Sequence, residues 1–250
     1  MKKFIVISIL IAYGNPISGQ NCRQIGYING DPIIVHLETS KFFKVSENLR
    51  LVPFDPGFGE KTPLFISDCG MLGTSFENKR HQLTCEINHF DLNLDFSNKI
   101  NSAILSEDCK FMAVSSQDTI SVYKNGVLVN KINGRSPQIV DNNLFYHMAL
   151  KNDPGFVDVY KSSLDDLANR EIILTNVVEP GILVLENGDF VACAILVNGL
   201  NAAIYDTRSK KFKSLMKADL NNFPVYFPKS KSIRYYNHKR CTFSKIVKYR

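Results

Sequence analysis

The feature of this chain that most constrains its fold is a pattern of four short strands that returns about every 40 residues. In the clearest copy, the apolar runs 103–105 and 111–114 flank a polar turn around Asp108. A third run, 119–124, carries an aliphatic residue and then a tyrosine just before the next turn, and 127–132 supplies a fourth run. Runs rich in Val, Ile, Phe and Tyr, bounded by Asn, Asp and Gly, are typical of strands joined by tight hairpins. The pattern therefore predicts small antiparallel sheets.

The same plan returns before and after this copy. First hairpins are predicted at 64–72, 139–146, 183–192 and 225–235, third strands at 156–161 and 202–206, and fourth strands at 170–174 and 211–215. The turns should centre near Asp108, Asn142, Gly188 and Ser230. We expect four apolar residues of these hairpins to lie in buried interfaces between neighbouring units: Phe111, Leu144, Phe190 and Ile233. Residues 163–170 are the one segment with the pattern of a helical turn.

Four strands in each period is the signature of a β-propeller blade. The chain is therefore predicted to be all-β and propeller-like, with six units of about four antiparallel strands. The unit boundaries are expected near 22–57, 58–97, 98–133, 134–174, 175–215 and 216–250.

Residues 100–132 resemble a blade of the WD40-like or TolB-like propellers. The segment Ser-Glu-Asp-Cys-Lys-Phe-Met-Ala at 106–113 takes the place of the Ser-Pro-Asp-Gly turn of that family, and Ile-Ser-Val-Tyr-Lys at 120–124 takes the place of its third strand. The resemblance extends over about residues 58–250. It implies the propeller architecture alone, because the shared residues are structural and the chain contains no Trp.

The N-terminus has the pattern of a secretory signal peptide. Lys2 and Lys3 precede an apolar run, 4–12, which is about half the length needed to span a bilayer. We expect cleavage after Gly19, with Gly14 as the alternative, so that residues 1–19 are the signal and residues 20–250 are one propeller-like domain. The protein is predicted to be secreted or periplasmic and not transmembrane.

The six cysteines all follow this segment. In an oxidising compartment an even number of cysteines usually indicates disulfides. Cys22 and Cys241 fall in the first and last units, so a disulfide between them would join the two ends of a ring. Cross-linking a long loop stabilises a folded protein more than cross-linking a short one, so we hypothesise that Cys22 and Cys241 form a disulfide clasp that closes the ring.

The other cysteines leave two pairings open. Cys69 and Cys109 occupy equivalent first turns in adjacent units, and a Cys69–Cys85 disulfide within one unit is equally consistent with the sequence. Cys193 lies in the apolar run 191–195, which predicts a buried, inert thiol.

Motifs for catalysis or cofactor binding are absent from the sequence, including G-x-S-x-G, H-E-x-x-H, the P-loop and the Rossmann fingerprint. The five histidines, His36, His81, His89, His147 and His238, have no metal-ligand spacing. The acidic pairs 107–108 and 165–166 stand in turns, where adjacent carboxylates diverge into solvent. No cofactor and no metal are predicted.

The most asymmetric feature of the sequence is the charge of the predicted last unit. Residues 220–250 contain no Asp or Glu, and basic residues are interleaved with tyrosines. Seven of the basic residues form a candidate surface for an anionic partner: Lys229, Lys231, Arg234, Lys239, Arg240, Lys245 and Lys248. Outside a cell that partner would be an acidic protein, a glycan or a lipid surface rather than nucleic acid. The alternative is a lysine-rich edge that discourages sheet association.

The sequence therefore favours an exported, monomeric, non-enzymatic binding or scaffold propeller that presents loops to a protein or anionic partner. The alternative is a propeller hydrolase or lyase with a site in the central channel, since propeller architecture permits both. Convergent His, Asp or Glu side chains at the channel mouth would favour the enzyme.

Overall fold

The structure is a computed structural model. It describes residues 22–243 except 37–38, 40, 47, 58, 60, 78–79, 88–89, 152, 186–187, 197–199, 218–221, 228, 231 and 238–241. Every regular element of this part of the chain, apart from isolated turns, is a β-strand. The predicted fold class is confirmed.

The strands follow the order of the predicted units. Unit 1 contains β1 (Cys22–Ile28), β2 (Asp31–His36), β3 (Lys41–Val45) and β4 (Leu51–Phe54). Unit 2 contains β5 (Thr62–Ser67), β6 (Gly70–Glu77), β7 (Arg80–Ile87) and β8 (Phe90–Phe96). Unit 3 contains β9 (Ile100–Leu105), β10 (Phe111–Ser116), β11 (Thr119–Lys124) and β12 (Val127–Asn133). Within each unit the strands pair in sequence order and antiparallel, so each unit is a meander.

Units 4 and 5 share one strand. Unit 4 begins with β13 (Arg135–Val140), β14 (Asn143–Leu150) and β15 (Asp153–Ser163), and β16 (Asp166–Leu185) follows. The first part of β16 pairs with β15, and its end pairs with β17 (Phe190–Leu196) of unit 5. Unit 5 then continues with β18 (Leu200–Asp206) and β19 (Lys211–Lys217). The described part of unit 6 consists of β20 (Asn222–Phe227), β21 (Ser232–Asn237) and β22 (Thr242–Phe243).

The predicted hairpins and their interfaces are confirmed. First hairpins join β9 to β10, β13 to β14, β16 to β17 and β20 to β21, at the predicted turns. The four expected apolar residues are buried: Phe111, Leu144, Phe190 and Ile233. Each lies in a cluster that takes side chains from two neighbouring units.

The helical turn predicted at 163–170 is wrong. Strand β15 ends at Ser163, Leu164 and Asp165 form a turn, and β16 begins at Asp166. The backbone N–H of Leu164 donates to the carbonyl of Asn142 at 2.9 Å. Because Leu164 and Leu167 are both buried in the cluster between units 3 and 4, tertiary packing outweighs the local helical preference.

The inner strands of units 1 and 2 approach each other closely. Strand β1 pairs parallel with β5 through Gly26 and Ile66. Gly26 has φ of 149°, and a Cβ at this position would overlap the carbonyl oxygen of Ile66. This contact explains why glycine occupies a strand position, where it is otherwise unfavourable.

The first and last units are also in contact. Ile34 and Val45 of unit 1 form one buried cluster with Val225, Phe227 and Tyr236 of unit 6. The pairing of β1 with β2 and β5 shows that the N-terminal strand belongs to unit 1. Side-chain packing therefore joins the described parts of units 1 and 6.

Candidate functional site

A disulfide joins the first turns of units 2 and 3. Cys69 lies between β5 and β6, Cys109 lies between β9 and β10, and their Cα atoms are 5.5 Å apart. The structure thus forms one of the two pairings that the sequence left open. The Cys69–Cys85 alternative is wrong, because Cys85 lies on β7 with its buried thiol 3.7 Å from the Met112 sulfur.

The Cys193 thiol is buried on β17, as predicted. Burial raises the pKa of this thiol to about 12, so the reactive thiolate is scarce at neutral pH. The Cys22–Cys241 clasp stays a prediction, since the side chain of Cys22 and all of Cys241 lie outside the described residues.

The basic surface predicted in unit 6 is described only in part. Lys231, Lys239, Arg240, Lys245 and Lys248 lie outside the described residues, and Arg234 is half-buried on β21.

The remaining member, Lys229, has an intramolecular role. Its ammonium lies 2.8 Å from Asp31 of unit 1, which also pairs with Lys44 at 2.8 Å. Burial acts to raise the pKa of Asp31, but hydrogen bonds from Lys229 and Lys44 outweigh it, and the pKa lies below its usual value. Lys229 therefore contributes to the contact between units 6 and 1, and anion binding by this surface stays a prediction.

The described histidines lie apart from one another. The His36 ring is 3.1 Å from the Thr39 hydroxyl, the His81 ring packs on Phe76, and His147 is buried on β14. His89 and His238 are outside the described residues. Within the described ranges, no three His, Cys, Asp or Glu side chains are placed to hold a metal ion.

The acidic pairs stabilise turns. Asp108 accepts a hydrogen bond from the Ser106 hydroxyl at 2.6 Å and pairs with Lys110 at 3.2 Å. The Ser106 hydrogen bond is the main reason that the pKa of Asp108 is lowered. Asp166 accepts a hydrogen bond from Asn169. The sequence analysis expected these carboxylates to point into solvent, and the structure shows in addition that Asp108 and Asp166 have local hydrogen-bond partners.

The exposed apolar surface of the described chain is concentrated on β12, the outermost strand of unit 3. Val127, Leu128 and Val129 are 66%, 45% and 49% exposed. The other large exposed apolar residues among the described positions stand singly: Val52, Phe76, Ile172 and Phe212. Single exposed apolar residues are ordinary, whereas contiguous ones mark interaction surfaces. We call Val127, Leu128 and Val129 the β12 patch.

The other described outermost strands carry features that discourage pairing with another chain. Strand β4 contains Pro53, and β8 contains Asp91 and Asp95. The outer part of β16 contains charged residues at 166, 170 and 171, and β19 contains lysines at 211, 213 and 217. Strand β12 has one charge, Lys131, in seven residues and no proline. Since proline and charge are the usual protection of exposed edges, β12 is the least protected of these strands.

The two-residue hairpin turn before β12 determines in which direction its backbone N–H and C=O groups point. Asn125 and Gly126 have φ of 50° and 81°, and Lys124 pairs with Val127 across the turn. The residues that flank such a turn form a hydrogen-bonded pair. The next residue, Leu128, therefore directs its N–H and C=O away from β11, towards the open edge.

The second half of β12 is locally covered. Val122 pairs with Asn130 and Tyr123 with Leu128, so Val129 is an extra, bulged residue. The backbone N–H of Lys131 donates to the side-chain oxygen of its neighbour Asn130 at 2.7 Å. The open part of the edge is thus the β12 patch itself.

The charges around the β12 patch are positive. Lys124 and Lys131 are exposed, and residues 119–133 contain no Asp or Glu, the nearest preceding acidic residue being Asp118.

The Lys124 ammonium lies 5.1 Å from the centre of the Phe111 ring, at the turn end of the β12 patch. The β12 patch is therefore an apolar strip flanked by two cations. Sequence reasoning missed it, because the run 127–132 reads as an ordinary fourth strand and its exposure depends on which strands lie beside it.

The comparisons with known proteins agree on the architecture. The structure is similar to Kluyveromyces lactis Hsv2, with a TM-score of 0.52 and 12% identity over 86% of this chain and 70% of that one. It is similar to the β-propeller domain of Myceliophteria thermophila Cps50 (Swd1), with a TM-score of 0.54 and 6% identity over 87% and 90%. A nidogen/laminin complex contributes a third match, with a TM-score of 0.50 and 13% identity over 90% and 91%. The chain has a β-propeller fold.

At these identities the likeness shows the fold alone. No protein-family profile matches the sequence, and no curated protein sequence matches it. The propeller contains no helix, within its described residues, that is long and apolar enough to cross a bilayer.

Proposed function

We propose that this chain is an exported, non-enzymatic binding propeller whose partner is a protein. The observation that carries the proposal is the β12 patch, three consecutive exposed apolar residues on an outermost strand. An exposed strip of this kind is unfavourable in water and is typical of a surface that a partner covers. Whereas the sequence analysis expected loops to present the binding surface, the apolar exposure of the described residues lies on a strand.

Export is supported by the chemistry of the cysteines and by the N-terminus. The Cys69–Cys109 disulfide is of a kind that persists in oxidising compartments and is rare in reducing ones. Residues 1–19 have the charge and apolar pattern of a signal peptide. We also take the six units as the blades of a closed ring, supported by the buried cluster and the Lys229–Asp31 ion pair between units 6 and 1.

Export is tested by expressing the chain from Met1 in a secreting host. We expect protein in the medium that begins at residue 20 by intact mass, with Cys69 linked to Cys109 in non-reducing peptide maps. Protein that stays inside the cell and retains Met1 would contradict the export proposal.

Binding is tested by photocrosslinking. A benzophenone amino acid is placed at Leu128 in one preparation and at Phe212, a comparably exposed apolar residue on β19, in another. Both are incubated in the extracellular fluid of the native source and irradiated. A defined covalent adduct at position 128 and none at 212 is expected. Equal labelling at both positions, or none at 128, would refute the β12 patch as the binding surface.

A further inference from the structure

We propose that the partner binds by strand addition, in which an extended segment pairs with the backbone of β12 through Leu128. This inference rests on the proposed binding function and specifies its mode. It also specifies the partner segment: extended, rich in β-branched residues, and carrying an acidic residue.

The backbone requires an extended partner. The backbone of Leu128 offers one hydrogen-bond donor and one acceptor at the sheet edge. A second strand that pairs with β12 can satisfy both with regular sheet hydrogen bonds. A helix offers no row of backbone groups along its side, because its N–H and C=O groups are bonded internally except at its two ends. The alternation of side chains along an added strand would then place its residues beside the exposed Val127, Leu128 and Val129.

The side chains define the partner chemistry. β-Branched residues pack well against a pleated apolar edge and fit the valines of the β12 patch. Lys124 and Lys131 lie at the two ends of that patch, without an acidic residue on β12 or its turn. An acidic side chain on the incoming strand is complementary to either lysine, whereas a basic one is opposed.

The same charges argue against a second copy as the occupant. The chain has a formal net charge of +6, and pairing β12 with itself would bring two copies of Lys131 onto one short ladder. A separate partner that carries the opposite charge avoids the charge repulsion.

Three variants separate the backbone, the patch and the charge. Leu128→Pro removes the outward N–H while leaving the hydrogen bonds of Val127 to β11, since proline is tolerated at open edge positions. Leu128→Lys keeps the backbone and adds the charge that natural edges use against pairing. Lys131→Glu reverses the charge at one end. Phe212→Lys on β19 is the matched control for an added lysine at an exposed outermost strand.

The probe is a display library of random linear peptides selected on the immobilised mature protein. We expect enriched peptides that combine alternating β-branched residues with Asp or Glu. As synthetic peptides they should bind Phe212→Lys as they bind wild type, and Leu128→Pro and Leu128→Lys roughly tenfold more weakly. Amide exchange of residues 127–129 should slow in the complex. Lys131→Glu should lose acidic peptides and select basic ones.

Three results would overturn the inference: no enrichment, enriched peptides that bind both Leu128 variants as well as wild type, or concentration-dependent dimers of wild type that Leu128→Pro abolishes. If Leu128→Pro does not fold, the comparison of Leu128→Lys with Phe212→Lys decides the question. Crosslinking at position 128, together with peptides that bind Leu128→Pro as well as they bind wild type, would leave the binding function intact and refute strand addition alone.

Discussion

The disulfide between units 2 and 3 offers a quantitative test of the structure. Replacing both Cys69 and Cys109 by Ala opens a loop with a sequence separation of 40 residues. In the chain-entropy description, closing a loop of that length removes unfolded-state entropy equivalent to about 4 kcal/mol at 25 °C. The double variant should therefore fold to the same structure but with a free energy of unfolding lower by about 4 kcal/mol.

The assay is equilibrium unfolding in urea, followed by far-UV circular dichroism and by tyrosine fluorescence. The chain has 10 tyrosines and no tryptophan, so tyrosine is the intrinsic fluorophore. Coincident transitions from the two probes would support a two-state treatment. Wild type and the double variant are each measured with and without reductant, and the two reduced proteins should match.

A double variant within about 1 kcal/mol of oxidised wild type would refute the reasoning. The same experiment examines the hypothesis of a Cys22–Cys241 clasp. If that disulfide forms, reductant should lower the stability of the double variant further, by up to about 5 kcal/mol, because the closed loop spans nearly the whole domain. A double variant that does not respond to reductant would contradict the clasp.

Three further outcomes are expected. The buried Cys85 and Cys193 thiols should resist iodoacetamide at pH 8 in the native protein and react after unfolding, as peptide mass spectrometry would show; rapid native labelling would contradict their burial. Hydrogen bonds from the Ser209 backbone N–H and then Lys213 lower the pKa of Asp206 from 3.8 to about 2. Since the folded-state pKa of Asp206 lies below its unfolded-state pKa, the stabilisation is present above about pH 4 and is lost as the pH falls towards 2. Wild type should therefore lose stability more steeply over this pH range than Asp206→Asn. Parallel stability curves for the two proteins would contradict the lowered pKa. Gly26→Ala should lower the free energy of unfolding in urea by about 3 kcal/mol, because a Cβ at this position overlaps Ile66. Gly57 also has positive φ but faces open space, so Gly57→Ala should lower it by about 1 kcal/mol. Equal losses in the two variants would contradict the overlap.

Much of the fold could be predicted from the sequence because each unit contains the same local signals. The turns around Asp108, Asn142 and Gly188 carry the residues that tight hairpins require, and the apolar residues that follow them are buried as expected. The boundary placed between 174 and 175 falls inside the single strand β16. A change of neighbours along one strand leaves no turn signal in the sequence.

The candidate site was less accessible to sequence reasoning. The run 127–132 reads as an ordinary fourth strand, and the exposure of Val127, Leu128 and Val129 follows from its place at the outer edge of unit 3. The choice of Cys109 over Cys85 as the partner of Cys69 likewise depends on distance between units, since both alternatives fit the local pattern. The exposure of the β12 patch and the partner of Cys69 both depend on which strands or turns of other units lie close by, which the local sequence pattern does not determine.

The shared strand β16 determines where the chain can be opened. In a circularly permuted protein, new termini at 97–99 would fall between β8 and β9, where one hydrogen-bonded sheet ends and the next begins. New termini between Asn176 and Ile182 would instead cut a strand that is paired with β15 on one side and β17 on the other. Units 4 and 5 are thus one indivisible module for protein engineering, and rearrangements of this propeller should move them together.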